Sequence, residues 1–314
     1  MSSDLIQSIR AQSKISISKA ISLIENETDE GNELLSDLYQ YTGNAYRLGI
    51  TGPPGSGKSS LTDQLISLFR KNDKKVAIIA IDPTSPFSGG SVLGDRIRMV
   101  NHFSDKGVYI RSMASRGGQG GLAKYSEEVG DIFDAASFDI IIYETVGVGQ
   151  IELDVINATD TVIVVLVPES GDEIQMIKAG LMEIGDIFAI NKSDRPGANK
   201  LDISLKNLFS TISVSQNSWQ PPIVQTIATE GKNIDELIKK INFHLKFINK
   251  FGNYDKNIDQ RYLRRLKSYV NKDFEEKFWD KNKLSLLDDE MRKNQRERMS
   301  PFVFSEELLK IVSN

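Results

Sequence analysis

The chain has 314 residues, of which 39% are hydrophobic and 26% are charged, and its formal net charge is −4. This composition is typical of a globular protein with a substantial core, and the negative charge argues against a nucleic-acid or anionic-membrane surface. The absence of cysteine excludes disulfides, thiolate catalysis and cysteine-based metal sites. The chain lacks an 18-residue apolar run and a signal-peptide pattern, so we expect a cytoplasmic protein without a membrane partner.

The elements predicted from hydrophobic spacing fall into three parts. Residues 1–45 predict an N-terminal helical extension of two helices, separated near Thr28–Gly31. Residues 46–251 alternate short apolar runs with helical stretches, which predicts a doubly wound, mostly parallel α/β sheet. Residues 252–314 predict a C-terminal helical arm with too few apolar residues for its own core, so we expect it to form a homodimer or to pack on the sheet. The predicted strands are Arg47–Thr51, Val76–Ile81, Val108–Met113, Asp139–Glu144, Thr161–Val167, Ile187–Ile190 and Ile223–Ala228.

A glycine-rich motif joins the first predicted strand to a helix, and it reads Gly-Pro-Pro-Gly-Ser-Gly-Lys-Ser at residues 52–59. It fits the phosphate-binding pattern G-x-x-x-x-G-K-[ST]. Glycines let the backbone curl so that its N–H groups point at phosphate oxygens, and the helix dipole favours the same anion. Lys58 would reach the β- and γ-phosphates, and the Ser59 hydroxyl would bind Mg²⁺. The predicted phosphate-site residues are Gly52, Pro53, Pro54, Gly55, Ser56, Gly57, Lys58, Ser59 and Ser60.

A second motif, Asn-Lys-Ser-Asp at residues 191–194, follows the predicted strand Ile187–Ile190. A carboxylate at this point can accept hydrogen bonds from N1–H and the exocyclic amine of guanine, a pair of donors that adenine lacks. We therefore expect the motif to select guanine through Asn191, Lys192 and Asp194. The stretch after the last predicted strand can place the backbone N–H of Ala228 near guanine O6, with Thr229 beside it.

Acidic residues follow two further predicted strands. Glu144 begins Glu-Thr-Val-Gly, where most small G proteins carry D-x-x-G, and there the N–H of Gly147 would sense the γ-phosphate. Asp82 follows the second strand, where a metal-shell carboxylate is expected, and its loop leads to Asp95. Asp95 has the alternative role of a first-turn acid that interacts with a helix dipole.

Together these residues resemble the methylmalonyl-CoA mutase-associated GTPase family (MeaB/ArgK type), within the SIMIBI class of P-loop proteins. The resemblance implies a GTP-hydrolysing chaperone, cycling between GTP and GDP with Mg²⁺, for an adenosylcobalamin-dependent acyl-CoA mutase of the methylmalonyl-CoA mutase type. Such a chaperone gates cofactor loading and protects or reactivates the mutase. The matching stretches are residues 52–59, 82–96, 115–118, 144–150 and 171–178, and the resemblance spans about residues 45–250.

The resemblance also implies roles for single residues. Ser59, Asp82, Asp95 and Glu144 would form the magnesium neighbourhood. Lys58, Glu144 and Asp95 would be catalytic, and Gln150 is a further candidate for orienting the attacking water. The residues expected to form a switch that signals to the partner are Arg98, Asp172, Gln175 and Lys178.

Three alternatives remain open from the sequence. A nickel metallochaperone GTPase would need soft or imidazole ligands, and the chain has two histidines and no cysteine. A transport-linked ATPase or kinase would turn over ATP as fast as GTP. A nucleotide-dependent binding module would barely hydrolyse GTP at all.

Overall fold

The computed structural model describes residues 2–83, 99, 101–115, 125–145, 157–168, 180–211 and 219–311. Its centre is a sheet of seven described strands, and every strand pair in it is parallel. The strands are β1 (Tyr46–Thr51), β2 (Val76–Pro83), β3 (Val108–Ser115), β4 (Ile140–Thr145), β5 (Thr161–Leu166), β6 (Ile187–Ile190) and β7 (Ile223–Gln225). Their order across the sheet is β3-β2-β4-β1-β5-β6-β7.

The doubly wound parallel sheet predicted from the sequence is confirmed. All six residues of β1, β4 and β5 are buried, as expected for strands covered by helices on both faces. From β1 the chain builds one half of the sheet through β2 and β3, and it builds the other half through β5, β6 and β7. The carboxyl ends of β4, β1 and β5 therefore lie where the strand order reverses, which is where such sheets bind ligands.

Helices cover both faces of the sheet. One face packs against α4 (Lys58–Lys71) and α8 (Ile234–Lys250). The other face packs against α5 (Ser126–Ala135), α7 (Ala198–Thr211) and the N-terminal helices. A short helix, α6 (Leu181–Ile184), precedes β6.

The N-terminal extension has three helices, so the prediction of two was wrong. They are α1 (Ser2–Arg10), α2 (Lys14–Glu25) and α3 (Asp29–Tyr39). The additional break occurs because Gln12 adopts a left-handed conformation, with φ of 62°, and the Ser13 side chain caps α2 by accepting from the Ser16 N–H.

The last strand is shorter than predicted, because it ends at Gln225 rather than Ala228. Ile227 and Lys232 instead form an isolated antiparallel bridge that closes a loop around the 3₁₀ turn Ala228–Glu230. These residues thus form a closed loop beyond the carboxyl end of β7.

The described chain divides into two compact units, Met1–Asp255 and Lys256–Asn314. In the first unit, Ile17 and Leu38 of the N-terminal helices share one apolar core with Phe133 of α5. The division predicted at residues 45/46 and 251/252 stays a prediction.

No helix among the described residues combines the length and hydropathy that a membrane span requires. The C-terminal helices are α9 (Asn253–Phe278), α10 (Lys281–Arg292) and α11 (Pro301–Lys310).

Candidate nucleotide-binding site

The glycine-rich loop runs from the end of β1 to the start of α4, at the point where the strand order reverses. Gly52 has φ of 138°, and a Cβ placed on it would lie 2.1 Å from the carbonyl oxygen of Val165 in β5. Gly57 has φ of 88°, and its Cβ would lie 2.3 Å from Asn191 Nδ2. Both positions therefore need glycine, for their backbone conformation and because the chain packs so closely there.

The first turn of α4 follows Gly57, which has no side chain to cap the helix. Backbone N–H groups in a first turn lack partners within the helix, and they carry the positive end of its dipole. The helix starts at Lys58 and continues for 14 residues, so its dipole is well developed. This arrangement favours an anion such as phosphate beside the loop.

The ammonium group of Lys58 is fixed within the loop. Its Nζ donates to the carbonyl oxygens of Gly52 at 2.7 Å and Pro53 at 3.0 Å, and the residue is only 6% exposed. A buried charge requires such partners. The lysine is therefore held against the start of the loop, with its charge inside the turn.

Glu144 lies at the carboxyl end of β4 and is 3% exposed. Ile140 and Ile142 pack in the same core as Leu61 of α4, so alternation along the strand places Glu144 on the face that carries this helix. Ser59, in the first turn of α4, is 5% exposed. A hydroxyl and a carboxylate are ligands that Mg²⁺ prefers, and the ion commonly takes one or two carboxylates and fills its remaining positions with phosphate oxygens and water.

Within the described ranges, no group of three or more His, Asp or Glu side chains could hold a metal ion. Ser59 and Glu144 offer oxygen donors of the kind that Mg²⁺ takes beside phosphate oxygens and water.

The side-chain amide of Asn191 joins three segments and is 2% exposed. Its Nδ2 donates to the Ser56 carbonyl oxygen at 2.9 Å. Its Oδ1 accepts from the Ala228 N–H at 3.0 Å and from the Thr226 hydroxyl at 3.4 Å. Asn191 therefore positions the phosphate loop against the loop after β7.

Lys192 makes a second contact with the phosphate loop, because its Nζ donates to the Gly55 carbonyl oxygen at 2.8 Å. Asp194 lies two residues further along and is exposed to solvent. The motif thus combines two residues anchored on the phosphate loop with an exposed carboxylate.

The Ala228 N–H, expected near guanine O6, is instead used by Asn191 Oδ1. The next residue, Thr229, is exposed in the 3₁₀ turn that the Ile227–Lys232 bridge closes. Sequence reasoning also missed Thr226, whose hydroxyl contacts Asn191. The sequence signal that could have identified Thr226 is its place directly after β7, at the start of the loop that carries Ala228 and Thr229.

Several predicted site residues cannot be placed. The side chain of Asp82, although its backbone belongs to β2, lies outside the described residues. The other predicted site residues that lie outside the described residues are Asp95, Gly147, Gln150, Arg98, Asp172, Gln175 and Lys178. Their roles stay predictions.

Asn191 and Lys192 of an N-K-x-D motif hold the phosphate loop, and the Glu144 carboxylate lies at the end of β4, the neighbouring strand. This is the arrangement of a P-loop GTPase. A family model described as methylmalonyl Co-A mutase-associated GTPase MeaB matches residues 17–283. The chain belongs to this family, as its sequence motifs predict, and it is a GTPase.

Individual relatives agree with this assignment. The chain is 46% identical over 272 residues to a Pyrococcus abyssi protein named as a GTPase, covering 86% of this chain and 84% of the relative. It is 35% identical to GTPase ArgK of Escherichia coli, over 74% of this chain and 72% of the relative. It is 32% identical to a mitochondrial methylmalonic aciduria type A homolog of Caenorhabditis elegans, over 76% of this chain and 64% of the relative.

The fold is also found in a solved structure, a crystal structure of an LAO/AO transport system kinase. The TM-score is 0.73 at 23% identity, and the match covers 100% of this chain and 98% of the other. This likeness establishes the fold alone.

Proposed function

We propose that this GTPase is a chaperone of an adenosylcobalamin-dependent acyl-CoA mutase of the methylmalonyl-CoA mutase type. It gates loading of the cofactor and protects or reactivates the mutase. The observation that carries the proposal is the match to a mutase-associated GTPase family over residues 17–283. The name of the Caenorhabditis elegans relative, which refers to methylmalonic aciduria, supports the same partner.

GTP hydrolysis proceeds in this proposal by in-line attack of water on the γ-phosphoryl group. Lys58 and the N–H groups at the start of α4 stabilise charge on the phosphates, which is the main catalytic contribution in such reactions. Ser59 and Glu144 would hold Mg²⁺, which would neutralise charge that develops on the phosphates. Glu144 is the first candidate for orienting the water, followed by Asp95 and Gln150.

Guanine selection in this proposal rests on Asp194 and the loop after β7. The exposed Asp194 carboxylate accepts from N1–H and the exocyclic amine of the base. Because the Ala228 N–H is bonded to Asn191, we assign the contact with guanine O6 to the N–H of Thr229. Ala228 then contributes by fixing Asn191.

The second unit supports the proposal of a homodimer. No residue of helix α9 is buried, and Leu266 and Val270 on it are 44% and 58% exposed. Replacing both residues with Glu should halve the mass measured by sedimentation at micromolar concentration, whereas Ser268→Glu on the same helix should leave it unchanged. An unaltered mass in the double variant would contradict dimerisation through this helix.

The alternatives are separated by the substrate and by metal binding. Both histidines, His102 and His244, are buried and contact protein carboxylates, which gives no support to a nickel site. Tight stoichiometric nickel binding would revive that alternative. Equal turnover of GTP and ATP would favour the transport-linked ATPase or kinase. Phosphate release that is unaffected by Lys58→Ala would assign hydrolysis to another site or to a contaminant.

The deciding experiment is co-purification of the chain with a cobalamin-dependent mutase. It should be repeated with GDP, with a non-hydrolysable GTP analogue, and with the Lys58→Ala variant. A nucleotide-dependent complex, together with a change in the rate at which adenosylcobalamin enters the mutase, is the expected result. If neither nucleotide produces a complex, the chaperone role is wrong, although the GTPase assignment is not affected.

A further inference from the structure

Two buried threonines join the ends of β1 and β4 beside the nucleotide site. Thr145 donates from its hydroxyl to Thr51 Oγ1 at 3.0 Å, and the two residues are 2% and 0% exposed. They are 94 residues apart in the sequence. The bond is formed because the parallel register pairs Ile50 with Glu144, which brings the following residues of the two strands side by side.

The position of this pair links two parts of the site. Gly52, the first residue of the phosphate loop, directly follows Thr51 in the sequence. Glu144 directly precedes Thr145, and it lies on the opposite face of the sheet, which carries α4. Any change in spacing between the ends of β1 and β4 must therefore alter the distance between Glu144 and the phosphate loop.

We propose that the Thr51–Thr145 hydrogen bond is a positioning device, which sets Glu144 at the distance from the phosphate loop that Mg²⁺-dependent nucleotide binding requires. The hydroxyls touch neither the nucleotide nor the ion in this proposal. They act through the backbone of their neighbours, Gly52 and Glu144. The inference rests on the proposed Mg²⁺ role of Glu144.

A purely structural role must be distinguished, because a buried hydroxyl bond also stabilises the fold. The chain offers a matched control at the amino end of β5. Thr161 is 0% exposed, and its hydroxyl is bonded to Tyr46 and to His244 Nδ1. Thr161→Val therefore removes a buried hydroxyl from the same sheet, at the amino ends of the strands, whereas the phosphate loop lies at their carboxyl ends.

The experiment measures Mg²⁺ dependence of nucleotide binding, with fluorescent GDP and a non-hydrolysable GTP analogue. We expect Thr145→Val to raise the Mg²⁺ concentration for half-maximal binding about tenfold, since a lost buried hydrogen bond has effects of this order. Thr51→Val should have the same effect, and the double variant should be no worse than either single one. Thr145→Ser, which keeps the hydroxyl, should stay within about twofold of the wild type.

Thr161→Val should lower the unfolding temperature and leave the Mg²⁺ requirement unchanged. The proposal is overturned if the Mg²⁺ requirement of Thr51→Val and Thr145→Val matches that of the wild type. It is also overturned if their effects multiply in the double variant, or if Thr161→Val changes the requirement equally. Binding of the wild type that needs no Mg²⁺ would instead refute the proposed role of Glu144.

Discussion

The side-chain amide of Asn191 donates to the backbone carbonyl of Ser56 at 2.9 Å, although 135 residues separate the two in the sequence. Lys192 makes a similar bond to the neighbouring carbonyl of Gly55. The motif that we propose to select the base is therefore also part of the support of the phosphate loop. Substitutions in this motif should differ in effect according to which of the two tasks the side chain performs.

Asn191→Ala should weaken binding of GDP and GTP together, by about tenfold or more, because it leaves the buried Ala228 N–H without its acceptor. Asp194→Ala should reduce the preference for GTP over ATP, with little change in stability, because this carboxylate is exposed. Titration with GDP, GTP and ATP, together with thermal unfolding, measures both effects. A loss of base selectivity alone in Asn191→Ala would contradict the supporting role.

Gly57→Ala should disrupt the phosphate loop. The new methyl group would lie 2.3 Å from Asn191 Nδ2, and the backbone conformation at φ of 88° disfavours a Cβ. Gly43→Ala is the matched control, because Gly43 has φ of 92° but no atom within 4 Å of its Cβ position. Both variants should lose about 1–2 kcal/mol from backbone strain. Only Gly57→Ala should also lose GDP affinity, which calorimetry can measure.

The buried guanidinium of Arg47 should be important for stability. It bonds to Asp131 at 2.6 Å, and it lies 3.9 Å from Asp134, whose carboxylate accepts three backbone N–H bonds from residues 43–45. Burial by itself would lower the pKa of Arg47, but the neighbouring Tyr143 together with the Asp131 and Asp134 carboxylates raises this pKa above its usual value.

Arg47→Leu should reduce the free energy of unfolding by about 3–5 kcal/mol, because it leaves buried carboxylates uncompensated. The double variant Arg47→Leu/Asp131→Leu should recover part of that loss, and urea titration measures both. A double variant less stable than the single one would show that the pair contributes more than compensation of charge.

A polar network at the amino ends of the strands should make stability depend on pH once either of its two titratable groups, His244 or Asp186, is replaced. His244 Nδ1 lies 2.6 Å from the Thr161 hydroxyl, and its Nε2 lies 3.4 Å from Asp186 Oδ1. Burial raises the pKa of Asp186 to about 7, and burial lowers the pKa of His244 to about 4. In the unfolded chain these pKa values are about 3.9 and 6.5.

Between about pH 4 and 6.5 the folded pair holds one proton on the carboxyl group, and the unfolded pair holds one on the imidazole. Their contributions to the pH dependence therefore cancel in the wild type. In Asp186→Asn only His244 remains, so stability should rise with pH over this window, by up to about 1.4 kcal/mol per pH unit. In His244→Gln only Asp186 remains, so stability should fall as pH rises from about 4 to 7. If the free energy of unfolding changes with pH in the same direction in both variants, the opposing contributions of Asp186 and His244 are contradicted.

Much of the fold could be predicted from the sequence, because buried parallel strands and their helices have strong local patterns. The apolar run predicts the strand Ile187–Ile190 with its observed limits, and the assignment of the motif after it to the base stays a prediction. The break at Gln12 was missed because a single left-handed residue has no periodic signal. The end of β7 was missed because the Ile227–Lys232 bridge competes with strand pairing.

The candidate site was predictable in residue type but not in connectivity. The sequence shows that Asn191 and Ala228 lie after predicted strands. It does not show that one side chain uses the N–H of the other, because that depends on tertiary packing. The same is true of Thr51 and Thr145, whose contact follows from strand register.

The strand order has a consequence for synthesis of the chain. The phosphate loop begins at the end of β1, but the neighbours of β1 in the sheet are β4 and β5, which end at Thr145 and Leu166. At 5–20 residues per second, the ribosome needs roughly 6–23 s to go from the end of β1 to the end of β5. During that interval the loop has no completed sheet to support it. We therefore expect GTP binding to begin only after β4 and β5 have been made and have joined β1 in the sheet.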